Sequence, residues 1–304
     1  MVSIGRNGWG YFEGDSVDLK LRSWVPSKAE IVSSAVAVGV FREDVPTSAI
    51  GKGCWEQGLT VSSRDFVARA IAKKEGGSVA ALHASNNSLV SLEGSNARLY
   101  AESAVDRTDA RYTVAAARVE NGATLVVSPA TQFNLKVGIN DKATYNDQLR
   151  SYGLKVEAGY ARIQSHQTNI EVNALGNAAG INIRPNPADE DKGGGADVPP
   201  SVVLAGNRTN INVNSKNRDA YGIYSGIPEG WIVPESGEIE DPSHPEWCSA
   251  SESFWNLLAV GDSLTIDAKA KRDAVGVYVE NGSVVVLGSR TTNLWTTHSC
   301  QARC

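Results

Sequence analysis

Lys216-Asn217-Arg218-Asp219-Ala220-Tyr221-Gly222-Ile223-Tyr224 and Ala270-Lys271-Arg272-Asp273-Ala274-Val275-Gly276-Val277-Tyr278 are two copies of one pattern. Arg-Asp-Ala stands in each, and Gly followed by an apolar residue and a tyrosine closes it. A looser copy begins at Arg64-Asp65-Phe66-Val67. A second pattern follows a glycine turn. Val119-Glu120-Asn121-Gly122 returns as Val279-Glu280-Asn281-Gly282, and loosely as Val156-Glu157-Ala158-Gly159. Short β-branched runs come next, at Ala123–Val127, Ser283–Leu287, Ser201–Leu204 and, in the same reading, Ser78–Leu82. A third pattern alternates strictly: Thr131–Val137, Thr168–Val172, Thr209–Val213 and, in a shifted phase, Ser263–Asp267.

Strict alternation marks strands, since residues i and i+2 share a face. Asn-Gly between two strands ordinarily forms a hairpin. Here the same three pieces recur in the same order and the third never returns as a partner of the second. That order suits a solenoid in which like strands stack on like strands. The expected fold is therefore all-β: a parallel β-helix of three short strands per coil, roughly eight or nine coils, with loops extruded sideways. Equivalent third-strand positions are read as Phe133, Ile170 and Ile211, and Ile266 with Leu294. At about 4.8 Å per stacked strand the array would be about 40 Å long. Residues 65–74 are Ala-rich with partial helical spacing, but the first-strand slot they occupy in this reading argues for a strand.

Composition agrees. The 304 residues include 29 Gly and one Met, with aromatics at 7%. Glycine and asparagine serve turns, while valine and threonine serve strands. A net charge of −5 and a pI near 5.5 give no basic excess for nucleic acid. No apolar run reaches the roughly 18 residues that cross a bilayer as a helix. Residues 1–304 read as a single repeat domain interrupted by insertions at 42–58, 184–200 and 225–255.

The repeat resembles the passenger region of bacterial autotransporters, the pertactin-like right-handed parallel β-helices. Asp219–Tyr224, Asp273–Tyr278, the Glu-Asn-Gly-Ser turn at 280–283 and the Thr-x-Ile-x-Val strands carry the likeness, from about residue 60 to 296. It implies a right-handed coil, export, and display at the cell surface or outside the cell, often in adhesion. Neither an export signal nor a membrane-barrel segment is read here, so the expectation is a fragment of a longer autotransporter. Ile4–Gly14 reads like Val279–Gly288 slipped by one or two residues, which places the first residues inside a coil. Uncapped ends would pair with further coils of a parent chain or with a second copy.

The expected function is that of a non-catalytic adhesin or display stalk, with a host glycan or a surface protein as partner. The alternative is a carbohydrate-active β-helix enzyme, a polysaccharide lyase or glycosidase. Such chemistry needs two carboxylates about 5–10 Å apart, and Asp219 with Asp273 is the candidate pair. The competing reading has both capping a turn between coils. Trp231, Trp247 and Trp255 in the third insertion are the candidate binding residues, since aromatics can stack on sugars or anchor a protein. They could equally fold that insertion onto the array. His83, His166, His244 and His298 are scattered, and no G-x-S-x-G turn is present. His298, Cys300 and Cys304 lack the fourth ligand and the tight Cys pair of a zinc site, so a terminal disulfide or free thiols is expected at Cys300 and Cys304; Cys54 and Cys248 are the other two cysteines. Asp189-Glu190-Asp191 reads as a solvated loop. No cofactor or metal is expected. Sequons stand at Asn86, Asn207 and Asn281.

Overall fold

The computed structural model describes residues 2–4, 9–23, 35–40, 57–72, 78–103, 113–139, 150–184, 200–225, 257–279, 284–286 and 291–298. Among them no helix occurs. The strands are β1 (Val2–Ile4), β2 (Trp9–Ser23), β3 (Ala35–Val40), β4 (Gln57–Ala72), β5 (Val79–Ser85), β6 (Ser88–Glu93), β7 (Asn96–Ser103), β8 (Thr113–Glu120), β9 (Thr124–Ile139) and β10 (Arg150–Glu157). They continue as β11 (Tyr160–Ala174), β12 (Ala178–Arg184), β13 (Ser201–Leu204), β14 (Arg208–Ser215), β15 (Ala220–Ser225), β16 (Leu257–Val260), β17 (Ser263–Ala270), β18 (Ala274–Val279), β19 (Val284–Val286) and β20 (Thr291–His298).

Every pairing among the described residues is parallel. One sheet has eight strands in the order β1-β3-β5-β8-β10-β12-β15-β18, and the other has twelve. The chain feeds the two sheets in turn, so each strand's neighbour lies about one repeat away in sequence. This is an all-β, repeat-like parallel architecture consistent with a β-helix. One apolar core runs from Ala37 to Ala274 between the sheets. Asn121 and Gly122 lie at φ 52° and 77° without closing a hairpin. Their N–H groups donate instead to Glu157 O and Ala158 O of the neighbouring repeat. Ala158 shares the left-handed conformation at φ 48°, so the loose copy at 156–159 is a true structural one.

Several sequence alignments need correction. Phe133 pairs with Thr168, and it is Leu135 that pairs with Ile170. A slip of two residues keeps every side chain on its face, so alternation cannot detect it. Ile211 with Ile170, and Ile266 with Leu294, stand as read. Residues 65–72 are strand, but they belong to β4 of the twelve-stranded sheet, whereas Asp219-Ala220 leads into β15 of the other sheet. Val79–Leu82 likewise lies in the eight-stranded sheet, beside Val114–Ala117. Ile4 falls in the same column as Val279, and Trp9 in that of Val284, with no slip at all. The insertions are narrower than expected: Gln57 and Gly58 belong to β4, Arg184 to β12, and Ser225 to β15.

The second and third pieces of the repeat also fuse. In β2, β4, β9 and β11 they form single strands of 15 or 16 residues, while elsewhere a corner divides them. Gly94 occupies one such corner at φ 138°, where a Cβ would strike the Ser63 carbonyl oxygen. Ser63 Oγ donates to Asp65 O at 2.9 Å and Ser165 Oγ lies 2.7 Å from Thr168 Oγ1, so the corner's buried hydroxyls are satisfied locally.

The motif glycine has a steric cause. A Cβ on Gly153, Gly180 or Gly222 would collide with Cγ2 of Ile170, Ile211 or Ile266 respectively, across the core. Each would also stand only 2.5–2.6 Å from the carbonyl oxygen of the next motif glycine, at 180, 222 and 276. Backbone blocks one side and a packed isoleucine the other, so neither can yield cheaply. Gly180→Ala should lower stability by about 1–3 kcal/mol, the usual range for overpacking, read as a lower urea midpoint with unchanged slope. A midpoint equal to that of the unmodified protein would contradict this account of the motif.

Candidate functional site

The outer face of the eight-stranded sheet carries side chains unlike those of its core face. One outward column runs His83, Arg118, Lys155, Asn182, Tyr224 and Tyr278, each the register partner of the next. The column two residues further along each strand runs Ser85, Glu120, Glu157 and Arg184. Period-2 alternation puts both columns on one face.

Four consecutive strands of this face, β5, β8, β10 and β12, carry a charge network. Lys155 Nζ donates to Glu120 Oε1 at 2.8 Å and pairs with Glu157. Arg118 Nε pairs with Glu120, His83 Nε2 lies 3.3 Å from Glu120 Oε2, and Arg184 Nη2 donates to Glu157 Oε2 at 3.0 Å. Lys155 is only 2% exposed. Burial pushes the Glu120 carboxyl up, but the hydrogen bond with His83 and the charges of Lys155 and Arg118 outweigh it and hold the group well below the usual carboxylate range. For Lys155 burial wins: it lowers the ammonium against the opposing pull of Glu120 and Glu157.

The network gives way to aromatics. Tyr152 is buried with Ala115 and Ala179, and Tyr221 and Tyr224 pack against them. Tyr224 and Tyr278 stack at 5.1 Å between ring centres with 14° between planes, and Tyr221 meets both edge-on at 5.2 and 5.8 Å. Offset stacks and T-shaped contacts are the favoured aromatic geometries.

Asp219 and Asp273 serve the turn. Asp219 Oδ1 accepts the backbone N–H of Asp273 at 3.1 Å, and Asn177 Oδ1 accepts that of Asp219 at 3.3 Å. The side chains of Asn177 and Asp219 thus link successive repeats at one corner. Trp231, Trp247 and Trp255 lie outside the described residues, as do Asp189–Asp191, His244 and Cys54, Cys248, Cys300 and Cys304. Of His298 only the backbone, in β20, is described. Asn207 Nδ2 lies 3.1 Å from His166 Nδ1 on an exposed corner. Among the described residues no group of three or more His, Cys, Asp or Glu is placed to hold a metal ion. Comparison of the chain with protein-family models, with curated proteins and with solved structures finds no significant match.

Sequence reasoning missed the charged face although its signal was present. Arg118-Val-Glu120, Lys155-Val-Glu157 and Asn182-Ile-Arg184 repeat one polar–apolar–polar frame just before the turn. Reading Val-Glu-Asn-Gly as a turn hid the glutamate's place on the strand.

Lys155→Met should cost about 3–5 kcal/mol at neutral pH, because two buried carboxylates lose their shared cation. Glu120 has its folded value depressed, so its contribution is complete above the ordinary Glu range near pH 4.3 and disappears as pH falls through the folded value. In the variant Glu120 loses one of the charges that hold it ionised and is easier to protonate. The stability gap between the two proteins should therefore narrow on acidification, which urea titrations across pH 3–7 would follow; a gap constant over that range would exclude the network as its source.

Proposed function

We propose that the chain is a right-handed parallel β-helix of three strands per coil and roughly eight or nine coils, similar to autotransporter passengers, and that it acts outside the cell or on its surface as a non-catalytic adhesin or display stalk. The observation that carries this reading is the use made of carboxylates on neighbouring repeats. Asp219 is committed to the backbone of the next repeat. Glu120 and Glu157 do approach one another, which is the feature that would favour a glycosidase or lyase. Both, however, are bound to the same buried ammonium. A glycosidase acid needs its carboxyl pushed upward so that it carries a proton at working pH, whereas Glu120 is held ionised. The adhesin reading needs no such proton donor.

The partner in this proposal is a glycan or protein of a host surface, with Trp231, Trp247 and Trp255 as the sequence's candidates for contact. The purified chain should bind host cells or a glycan array while releasing no sugar from polysaccharides over long incubation. Binding should weaken when residues 226–253 are deleted. Saccharide release abolished by Glu120→Gln would replace this reading with the enzymatic one.

The sheet ends are the second contact proposed, either with further coils of a longer parent or with another copy. All four exposed large hydrophobic residues among those described, Trp9, Tyr11, Tyr278 and Val279, sit on strands that end a sheet order. Open strand edges with apolar neighbours invite pairing, and an inserted lysine opposes it. Light scattering should show mass rising with concentration, and Tyr11→Lys with Val279→Lys should reduce the rise. A monomer at every concentration would dismiss self-association.

A further inference from the structure

The Asn182 end of the charged face holds two unmet polar groups. Asn182 is 4% exposed, and its Oδ1 has no hydrogen-bond partner. Arg184, two residues on and facing the same way, spends Nη2 on Glu157, while its buried Nε has no partner. Buried polar atoms are satisfied in the great majority of folded structures, and an orphan costs about 1–3 kcal/mol. An acceptor and a donor orphaned side by side describe a bipartite contact: a group that gives a hydrogen bond to Asn182 and another that takes one from Arg184. Residues i and i+2 of a strand are about 6.6 Å apart, a gap that two adjacent oxygen substituents of a small ring can bridge.

Charge and surroundings narrow the class. Among the described residues Arg118, Lys155 and Arg184 pair with Glu120 and Glu157, so the network sets three basic side chains against two carboxylates. The neighbours of Asn182 along its column are aromatic, Tyr224 and then Tyr278. Exposure rises along that column from 2% at Lys155 to 38% at Tyr278. The column is thus most open at its tyrosines, where an aromatic face suits the C–H face of a sugar ring. An arginine N–H is a strong partner for a carboxylate.

We propose that Asn182, Arg184 and the Tyr224–Tyr278 stack form a binding site for an acidic sugar: the two side chains, whose orphan atoms are closed to solvent in the free protein, turn outward so that the sugar carboxylate accepts from Arg184 Nε and a neighbouring hydroxyl donates to Asn182 Oδ1. The inference rests on the surface-binding reading above and gives it a site and a ligand class. The probes are cellobiouronic acid, a glucuronate joined to glucose, and cellobiose, its neutral counterpart, each titrated into the full chain by calorimetry. The acid should bind at least tenfold more tightly than the neutral sugar. Arg184→Lys keeps the charge and removes the Nε–H, and Asn182→Ala removes the acceptor; each should weaken the acid at least tenfold. Tyr278→Ala, at an exposed position, should weaken it severalfold, and Lys136→Ala, on the other sheet, should leave it unchanged. If either buried variant fails to fold, the two sugars on the unmodified chain and Tyr278→Ala still decide. Binding of neither sugar, equal binding of both, or full affinity in Arg184→Lys and Asn182→Ala would overturn the site. Cell binding that persists in those variants while the acid does not bind would remove the site and leave the surface-binding reading standing.

Discussion

The distance between the two sheets is governed by one contact. At residues 153, 180 and 222 the eight-stranded sheet comes so near the isoleucines of the opposite sheet that no Cβ fits. Each glycine is also pressed against the carbonyl of the next, so the restriction acts both across the core and along the stack. By register the corresponding positions toward the N-terminus are Ala116 and Ala81, and the residues in the isoleucine column there are Leu135 and Leu99. A γ-branched leucine lacks the Cβ methyl that the glycines accommodate. The pairing of small residue with branching type is therefore repeated along the chain, and it is the repeat's interior that the sequence motif records.

Close approach of the sheets leaves an interior of mostly aliphatic side chains, with Phe66 and Phe133 in one column, and most polar residues face outward. There they satisfy one another between repeats. Asn169 Nδ2 donates to Asn134 Oδ1 at 2.8 Å, and Asn210 Nδ2 to Asn169 Oδ1 at 2.9 Å, on the outer face of the twelve-stranded sheet. Lys136 meets Glu171 in the neighbouring column. An amide ladder of this kind requires the same register in successive repeats, because each side chain must find its partner one strand away. The corner side chains Asn177 and Asp219 do the same with backbone N–H groups.

The parallel all-β architecture was legible because it depends on alternation and on repeated order, both visible in a single chain. The strand at residues 65–72 and the equivalence of Val119, Val156 and Val279 followed from the same signals. What could not be read was whatever leaves alternation unchanged. A two-residue slip moved Phe133 onto the wrong partner without altering its face, and Val79–Leu82 could be placed in either sheet because both sheets accept a short apolar strand. The charged face was missed for a different reason. Arg118, Lys155 and Glu157 are ordinary surface residues when taken singly, and their meaning comes from stacking across repeats of unequal length, 37 residues between Glu120 and Glu157 but 27 between Glu157 and Arg184.

That face also shows which force sets the register. Direct partners across the β8–β10 pair are alike in charge: Arg118 stands opposite Lys155, and Glu120 opposite Glu157. Like charges directly opposite are unfavourable, and a slip of two residues would place Lys155 opposite Glu120 instead. Electrostatics alone would choose the slipped arrangement. The observed one is kept because the slip would carry Gly153 and its neighbours out of the space left for them by Ile170 and Gly180. The ionic groups then adapt to a register imposed from inside. Lys155 reaches diagonally to Glu120 and along its own strand to Glu157, while Arg118 and Arg184 close the two ends. Side chains that adapt to an imposed geometry need not all be satisfied by it, and Asn182 and Arg184, at the limit of the network, each retain an unmet polar atom. The same glycine packing that makes the repeat stackable thus leaves, on the opposite side of the sheet, the groups through which a ligand could be recognised.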